Sequence, residues 1–435
     1  MVRIHLIILF CLSFLDVKCQ ILTSNVNDLI ITNGAIVISN GGVQVNFGNV
    51  VNNGFLQVTK NSTYSSPGNF ELNQNGIASG NGYYKIEQNW INNGVFNCEQ
   101  SAVELYGNTK QLITSSNNIS TLFHDLILSG TGTNQNREKE LQGVNSSTNF
   151  TGELFLNDRE LSTLTNSFYV MNPDNSSIHF DQSFQDEGFV SSLTPGFLWR
   201  STDNTSTYIF PVGSSDGLRR FRPVELNPKD QIENNYGVRM NNYNSDDDTY
   251  NRSMTDGFSK ELNPYFYHSI IGEEFNTSTA DLNIGYLMSD GVFSGISNWN
   301  FNKWISFSNE IPKLIGNYIS LSQNDVDLFN LSHPYILSNN DIASDVYVPN
   351  TFTPDGQEFN NVFSPVFSDN YSFSEIELLI FDRWGELIYT GLGYDCGWDG
   401  YYSYLKCQDG IYTWKLNYSK GEIKKTILGH VNLIK

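Results

Sequence analysis

A short motif recurs in the amino-terminal third of the chain. Each copy begins with an Asn-Gly pair and continues into a short run of alternating side chains. The copies are TNGAIVIS (32–39), NNGFLQVT (52–59), QNGIASGN (74–81) and NNGVFNCE (92–99). A related segment, TGELFLND (151–158), follows later in the chain. The glycines of the four copies are 20, 22 and 18 residues apart. This period restricts the possible folds more than any other feature of the sequence.

An Asn-Gly pair accepts positive φ and turns the chain tightly, and the alternating residues behind it make a short strand with one buried face. One short strand cannot bury that face alone, whereas copies stacked at a regular period share a continuous core. The repeat therefore predicts a β-solenoid over residues 20–190. A meander of hairpins with the same turns, folded as a sandwich, is the alternative.

Beyond about Ser191 the Asn-Gly period ends, and longer strands punctuated by proline follow. Such spacing predicts an antiparallel β-sandwich over residues 191–340. With 14% aromatic and only 16% charged residues, the composition is typical of a surface-exposed all-β protein. We therefore expect an all-β chain with a solenoid followed by a central sandwich.

The first nineteen residues predict a secretory signal peptide. Arg3 precedes an apolar stretch from Ile4 to Leu15, which is too short to cross a bilayer. We expect cleavage between Cys19 and Gln20. Acylation of Cys19 is the alternative, although Lys18 stands where lipoprotein signals have a small residue. No later apolar run is long enough for a membrane helix, so we expect no transmembrane segment in the mature chain.

The formal net charge of −21 disfavours nucleic acids and anionic lipids as partners. Cations, neutral glycans and other proteins are the partners that remain. After the signal the chain has three cysteines, in an oxidising location. Cys396 and Cys407 lie eleven residues apart across a turn rich in Gly and Tyr, and we predict a disulfide between them. We expect Cys98 to be a buried thiol.

No catalytic motif such as HExxH or GxSxG occurs, and we predict that the protein is not an enzyme. Asp158 and Glu160 flank Arg159 and form a carboxylate pair that a glycosidase could use, but such pairs are ordinary at turns. A lyase on a β-helix would need a basic residue or bound calcium, and the solenoid segment has only scattered bases. These bases are Lys60, Lys85, Lys110, Arg137, Lys139 and Arg159.

We predict no cofactor and no metal site. Calcium is the alternative at Asp246, Asp247 and Asp248, where a solvated acidic loop is the commoner arrangement.

The last part of the chain has the alternation of a half-buried sheet. IYTWKLNY (411–418) places its aromatic residues on one face, and IELLIFD (376–382) is apolar on both faces, as expected for a central strand. Gly385 allows the chain to reverse after Trp384. We expect Arg383 to stack on this indole and to pair with the carboxylate of Asp382 or Asp399. We expect Trp384, like Trp398 and Trp414, to lie in the core.

Five ordered segments of this region are similar to the gliding motility-associated C-terminal domain, the type B sorting domain of the type IX secretion system. They are VPNTFTPDG (348–356), LLIFDRWGELIY (378–389), GWDG (397–400), DGIYTWKLNY (409–418) and GHVNLIK (429–435). The motif residues are Phe352, Asp382, Arg383, Trp384, Gly385, Trp398, Asp399, Gly400, Gly410, Tyr412, Gly429 and His430.

The resemblance covers residues 345–435 and implies an immunoglobulin-like β-sandwich of about seven strands. It also implies an outer-membrane type IX translocon as partner, reached after the signal peptide has delivered the chain to the periplasm. One departure is that Gln357, Glu358 and Phe359 follow Asp355-Gly356, where the family has a second Asp-Gly and an Asn-Asp. The resemblance therefore does not support a cation in this loop.

Together these features predict a secreted or cell-surface protein that is exported by type IX secretion. We expect the exported part, residues 20–340, which we call the passenger, to be adhesive or structural and to bind glycan or protein partners. The alternative is a polysaccharide-active enzyme, a lyase or glycosidase, on a β-helix scaffold.

Overall fold

A computed structural model describes residues 22–25, 28–60, 62–183, 185–256, 259–273, 278–307, 312–315, 317–329, 334–340, 346–356, 360–367, 373–420 and 423–434. Cys19 and Gln20, at the predicted cleavage site, lie outside these residues. The chain is 52% strand and 3% helix, which confirms the all-β prediction. Among the residues described here, the helices are three short 3-10 turns, Asn134–Arg137, Ser245–Asp247 and Met288–Asp290. The chain divides into two compact units, Met1–Asn339 and Asn340–Lys435.

The first unit begins with a β-solenoid of about seven turns, as the repeat predicted. The chain visits three faces in turn, and neighbouring strands within a sheet pair in parallel. Face 1 contains Leu22–Ser24, Val43–Val45, Thr63–Ser66, Tyr83–Ile86, Ala102–Leu105, Asp125–Leu128, Leu154–Asn157 and Ile178–Phe180. Face 2 contains Leu29–Ile31, Val50–Asn52, Phe70–Leu72, Trp90–Asn92, Gln111–Thr114, Glu138–Gln142, Glu160–Ser162 and Phe189–Ser191.

Face 3 consists of two sheets. The first contains Ile36–Ser39, Phe55–Val58, Ile77–Ser79 and Val95–Asn97. The second begins with Leu122–Phe123, Ser146–Thr148, Phe168–Val170 and Leu198–Thr202. Residues that point inward from all three faces form one core, in which Phe70 and Trp90 of successive coils stack with ring centroids 4.7 Å apart.

The repeated Asn-Gly pairs all lie at the corner between face 2 and face 3. Only Gly34 among them has positive φ, at 79°. At Gly54 a Cβ atom would lie 2.5 Å from two backbone carbonyl oxygens of the preceding coil. At Gly76 and Gly94 the nearest such oxygens would be 2.2 Å and 2.4 Å away. The glycines are therefore needed mainly for close stacking of the coils, and a left-handed conformation explains only the first of them.

A ladder of side-chain amides stabilises the corner between face 1 and face 2. The backbone N–H of Asn49 donates to the carboxylate of Asp28 at 2.8 Å. The N–H groups of Asn69, Asn89 and Leu112 each donate to the side-chain oxygen of the asparagine one coil earlier, at 2.9, 2.9 and 2.8 Å. Backbone donors that the turn leaves without a sheet partner are thereby satisfied, which explains the regular asparagine spacing.

The second sheet of face 3 continues into an antiparallel region. Leu198–Thr202 pairs in parallel with Phe168–Val170 on one side and antiparallel with Asn234–Asn241 on the other. The sheet then extends through Tyr267–Gly272, Pro334–Asn340, Gly295–Asn300 and Lys303–Ser306, with Ser259–Leu262 beside Pro334–Asn340.

A second antiparallel sheet contains Tyr208–Phe210, Val224–Pro228, Ala280–Tyr286, Tyr318–Val326 and Lys313–Ile315. A short ribbon pairs Gly213–Ser214 with Arg220–Phe221. Buried residues of both sheets belong to the same core as the solenoid, so the solenoid and the sandwich are joined by a shared sheet and a shared core.

The second unit has its own hydrophobic core. Its five-stranded sheet has the order Thr351–Phe352, Ile423–Leu433, Gly410–Lys420, Phe373–Phe381 and Leu387–Leu392. Two short ribbons accompany it, Val346–Tyr347 with Val366–Phe367 and Tyr401–Tyr402 with Leu405–Lys406. As predicted, Phe373–Phe381 lies between two partner strands, and the aromatic face of Gly410–Lys420 is buried.

Candidate functional site

Three motif residues of the second unit form an aromatic cluster in its core. Phe352 is buried and its ring centroid lies 5.3 Å from that of Trp398. Tyr412 packs edge-on against the same indole at 5.0 Å, and its hydroxyl donates to the carbonyl oxygen of Gln408 at 2.7 Å. These residues belong to the core of the second unit and stabilise its fold.

Gly429 makes room for a tryptophan on the neighbouring strand. It lies directly opposite Trp414 in the sheet, and a Cβ atom at Gly429 would be 2.3 Å from the indole. Trp414 is therefore able to lie flat in the core, where it is 7% exposed. The adjacent His430 is exposed, and its Nδ1 lies 3.3 Å from the hydroxyl of Thr413.

The turn from Asp382 to Glu386 has a fixed backbone. One carboxylate oxygen of Asp382 accepts from the N–H groups of Trp384 and Glu386, both at 2.9 Å. The Asp382 N–H donates to the carbonyl of Glu386 at 2.9 Å, and Gly385 has φ of 83°. The side chain of Asp382 thus acts as an internal template for the turn, and positive φ explains the glycine.

Trp384 is 82% exposed at this turn, whereas Trp398 and Trp414 are buried. The prediction that all three indoles lie in the core is therefore correct for two and wrong for Trp384. Trp384 lies in the turn beyond Phe381 and Leu387, the last paired residues of its hairpin, so the alternation of the strands does not direct its side chain into the core. The guanidinium of Arg383 lies 5.4 Å from the centroid of this indole, which confirms the predicted stacking.

The predicted ion pair of Arg383 is not formed with any residue that the structure describes. Asp382 uses its carboxylate to hold the turn, and the Asp399 carboxylate accepts from the N–H of Tyr401 at 3.1 Å. The competing backbone donors belong to the same short turns as the carboxylates that they bind. Arg383 therefore remains a solvated cation beside an exposed indole.

A second turn lies beside the first. The Trp398 indole donates from Nε1 to the carbonyl of Tyr401 at 3.0 Å, and Gly400 has φ of 81°. The hydroxyl of Tyr402 donates to the Glu386 carboxylate at 2.8 Å and connects the two turns. We call the group Arg383, Trp384 and Tyr402 the tip surface. Gly410, with φ of 151°, begins the strand that follows.

Cys396 and Cys407 both carry reduced thiols in this structure, so the predicted disulfide between them is not formed. Cys396 is fully buried, and burial raises its pKa. Cys407 is half-buried, and its N–H donates to the carbonyl of Gly400 at 2.9 Å. Cys98 is a buried thiol, as expected.

In the passenger, the carboxylates considered for a glycosidase have separate partners. Asp158 binds the guanidinium of Arg159, which lowers the Asp158 pKa although burial opposes this effect. Arg159 itself is 2% exposed and donates to the carbonyl of Gly132 at 2.5 Å. Glu160 is buried and accepts from the hydroxyl of Ser191 at 2.5 Å, and burial raises its pKa. The contacts of Arg159 and Glu160 connect successive coils of the solenoid.

Most of the basic residues considered for a lyase also contact neighbouring coils. Lys110 binds the carboxylates of Glu138 and Glu140. Arg137 binds Asp186, and Lys85 lies 3.4 Å from a carboxylate oxygen of Glu104. Lys139 is fully buried, donates to a carbonyl and to a glutamine oxygen, and has its pKa lowered by burial to about 7.

Histidines and acidic loops show the same kind of local pairing. His124 and His179 lie 2.8 and 2.9 Å from carboxylate oxygens. Burial lowers the pKa of His268 to about 4, and His333 is outside the described residues. In the loop considered for calcium, Asp246 binds Arg252 at 3.0 Å, and Asp248 accepts from tyrosine hydroxyls. Within the described ranges no group of three or more His, Cys, Asp or Glu residues is arranged to hold a metal ion.

Residues 346–433 match the CHU_C type IX secretion signal domain. The chain therefore carries a type IX sorting domain where the sequence predicted one, and this domain supports export to the cell surface or secretion and an interaction with the secretion machinery. Neither the curated proteins nor the solved structures that were compared include a match to the chain. Within the described residues, no helix has the length and apolar character needed to cross a membrane.

Proposed function

We propose that an amino-terminal signal delivers this protein to the periplasm, that the type IX translocon carries it across the outer membrane, and that the passenger then acts as an adhesive or structural surface element. The domain match over residues 346–433 is the single observation that supports the export step. The rest of the route is our inference from the signal-like amino terminus and this domain.

The passenger is built as a rigid presenting element. Its solenoid and sandwich share a sheet and one buried core, so relative motion of the two regions would disrupt paired strands. The titratable residues that could have formed a catalytic centre contribute instead to contacts between successive coils. A rigid surface that binds without chemical turnover agrees with both features.

We further propose that the translocon recognises the tip surface. Most motif residues of the sorting domain are occupied in its core or in setting its turns, whereas Trp384 contributes little to packing at 82% exposure. Asp382 and Gly385 fix the turn that carries this indole. A turn whose backbone is already fixed loses little conformational entropy when its side chains bind a partner, which favours recognition.

The export step is tested with residues 345–435 fused behind a signal peptide and a reporter. We expect the reporter to leave the periplasm in a host that has the type IX translocon and to remain there in a host that lacks it. Retention of the reporter in both hosts, or release in both, would contradict the proposal.

Recognition by the tip surface is tested in the same fusion with Trp384→Ala. The matched control is Leu392→Ala, because Leu392 is 71% exposed at the other end of the same hairpin. We expect the Trp384 variant to accumulate in the periplasm as a folded protein and the Leu392 variant to be exported normally. Normal export of both variants would locate recognition elsewhere on the domain.

The passenger's role is tested by two assays. Cells that display the full chain are expected to attach to a glycan-coated or protein-coated surface more strongly than cells that lack it. Purified residues 20–340 are expected to release no reducing or unsaturated sugar from polysaccharides. Measurable turnover would replace the adhesive role with the lyase or glycosidase alternative.

A further inference from the structure

A groove of about 480 Å³ lies on the outer surface of the sheet that joins the solenoid to the sandwich. Its floor crosses Ser146–Thr148, Phe168–Val170, Leu198–Thr202 and Asn234–Asn241. We call it the junction groove, and its principal lining residues are Phe150, Tyr169, Trp199, Glu233, Asn235 and Glu273. None of these residues belongs to the sorting domain.

Aromatic rings form the apolar part of the junction groove. Tyr169 and Trp199 lie opposite each other on adjacent strands, their ring planes are parallel within 5°, and their centroids are 6.0 Å apart. Both rings are half-buried. On the next strand Gly237 lies under the indole, since a Cβ atom there would be 2.9 Å from the ring. Phe150, which is 63% exposed, adds a third ring to the lining.

Polar groups line the groove beside the rings, and one of them is held in a single orientation. The Asn235 amide oxygen accepts from the hydroxyl of Ser201 at 2.7 Å, and its amide nitrogen donates to the Glu273 carboxylate at 2.6 Å. Burial raises the pKa of Tyr169, and the charge of Glu273 adds to this rise, so the tyrosine stays neutral and can donate. Glu233 is exposed and supplies a second carboxylate to the lining.

We propose that the junction groove binds a neutral glycan chain. One face of a pyranose ring carries C–H groups that pack against aromatic rings, while its hydroxyls need fixed acceptors and donors at the edge. The parallel rings of Tyr169 and Trp199 meet the first requirement, and the carboxylates with the fixed Asn235 meet the second. This inference rests on the proposed adhesive role and names the ligand class for it.

Other ligand classes fit the groove less well. Glu233 and Glu273 together with the net charge of −21 repel uronic acid polymers and nucleic acids. An extended peptide would need an unpaired sheet edge, but each strand below the two stacked rings is hydrogen-bonded on both sides. Neutral sugars satisfy both the charge and the geometry.

The test is calorimetric titration of the full exported chain. The probes are neutral hexasaccharides of glucose, mannose, xylose, galactose and N-acetylglucosamine, with hexagalacturonate as the acidic counterpart. We expect measurable binding of at least one neutral probe and no binding of hexagalacturonate. Absence of binding to every neutral probe overturns the proposal, and equal binding of the acidic probe overturns its charge argument.

Two groove variants and one matched control identify the site. Phe150→Ala removes an exposed ring and is expected to weaken binding about tenfold, which corresponds to about 1.4 kcal/mol. Trp199→Ala is expected to abolish binding, and Phe150→Ala keeps the test decisive if that variant misfolds. The control is Phe47→Ala, because Phe47 is 65% exposed at a different corner of the solenoid. Unchanged affinity in Phe150→Ala would place the glycan elsewhere.

Cell attachment separates this inference from the adhesive function on which it rests. If Phe150→Ala cells attach like the wild type to a surface coated with the bound neutral glycan, the junction groove is wrong and the adhesive function stands. If cells with the wild-type chain attach no better than cells that lack it, the adhesive function itself fails.

Discussion

Replacing Trp384 or Trp398 by alanine makes the same chemical change at two very different sites in the sorting domain. Trp398 is fully buried, and loss of such a core side chain is expected to lower the free energy of unfolding by about 3–5 kcal/mol. Trp384 is 82% exposed, so only about a fifth of its area, roughly 50 Å², is buried, worth about 1 kcal/mol. Loss of its contact with Arg383 adds about 0.5 kcal/mol.

The measurement is urea denaturation of Asn340–Lys435, which has its own core. Tryptophan fluorescence and circular dichroism monitor the unfolding. We expect midpoints that differ clearly between the two variants, with Trp384→Ala close to the wild type. A loss above about 3 kcal/mol for Trp384→Ala would mean that the indole packs in solution, since only core burial reaches that size. An export defect in this variant could then be explained by misfolding, and the tip surface would lose its support.

Three further predictions concern coil stacking, a buried lysine and the thiols. Gly54→Ala is expected to lower the unfolding free energy by about 2–3 kcal/mol, because the added Cβ atom would contact two carbonyl oxygens. Gly34 has open space around it but positive φ, so Gly34→Ala should lower the unfolding free energy by only about 1 kcal/mol. Equal losses for the two variants in urea denaturation would contradict the stacking argument. Burial lowers the Lys139 pKa to about 7, so between this pH and about pH 10.4 the unfolded chain binds one more proton than the folded chain, and stability rises with pH. Lys139→Met should therefore remove a slope of up to about 1.4 kcal/mol per pH unit from the plot of unfolding free energy against pH. An unchanged slope would mean that Lys139 is charged in the folded protein. Alkylation of the exported protein after unfolding, followed by mass spectrometry, should detect three thiols. Alkylation of the native protein should modify half-buried Cys407 before buried Cys396. Detection of one thiol in the unfolded protein would show that Cys396 and Cys407 form the disulfide that the sequence predicted.

The sequence was sufficient to predict the solenoid because coil stacking repeats the same demand at every corner. At the turns, side-chain oxygens must accept hydrogen bonds from backbone N–H groups, and glycine must leave space for the backbone of the neighbouring coil. Asn and Gly therefore recur at a regular period that is visible in the sequence. The sequence alone did not reveal why each glycine is needed. Positive φ explains Gly34, whereas the approach of a carbonyl at Gly76 depends on the position of another coil. Contacts between coils cannot be seen in any one repeat.

The junction between solenoid and sandwich shows a second limit. The change of pattern near Ser191 is visible in the sequence, but it does not reveal that Leu198–Thr202 pairs with both regions. Pairing direction depends on where the chain returns, which for this strand is more than thirty residues later. The junction groove was missed for the same reason, because Tyr169 and Trp199 become neighbours only through that pairing. A tyrosine and a tryptophan at equivalent positions of successive strands were the available signal.

Trp384 was misplaced by an argument that is sound for most indoles, namely that a large aromatic loses most by exposure. The same argument has a different consequence once the exposure is known. Most of this indole remains in water in the folded domain, so a partner that covers it gains hydrophobic stabilisation that folding has not used. Asp382 already holds the turn, which reduces the entropy lost on binding. A folded domain that exposes an indole beside a cation on a fixed turn therefore has both the energy and the geometry for recognition, and removal of the indole should impair export without unfolding the domain.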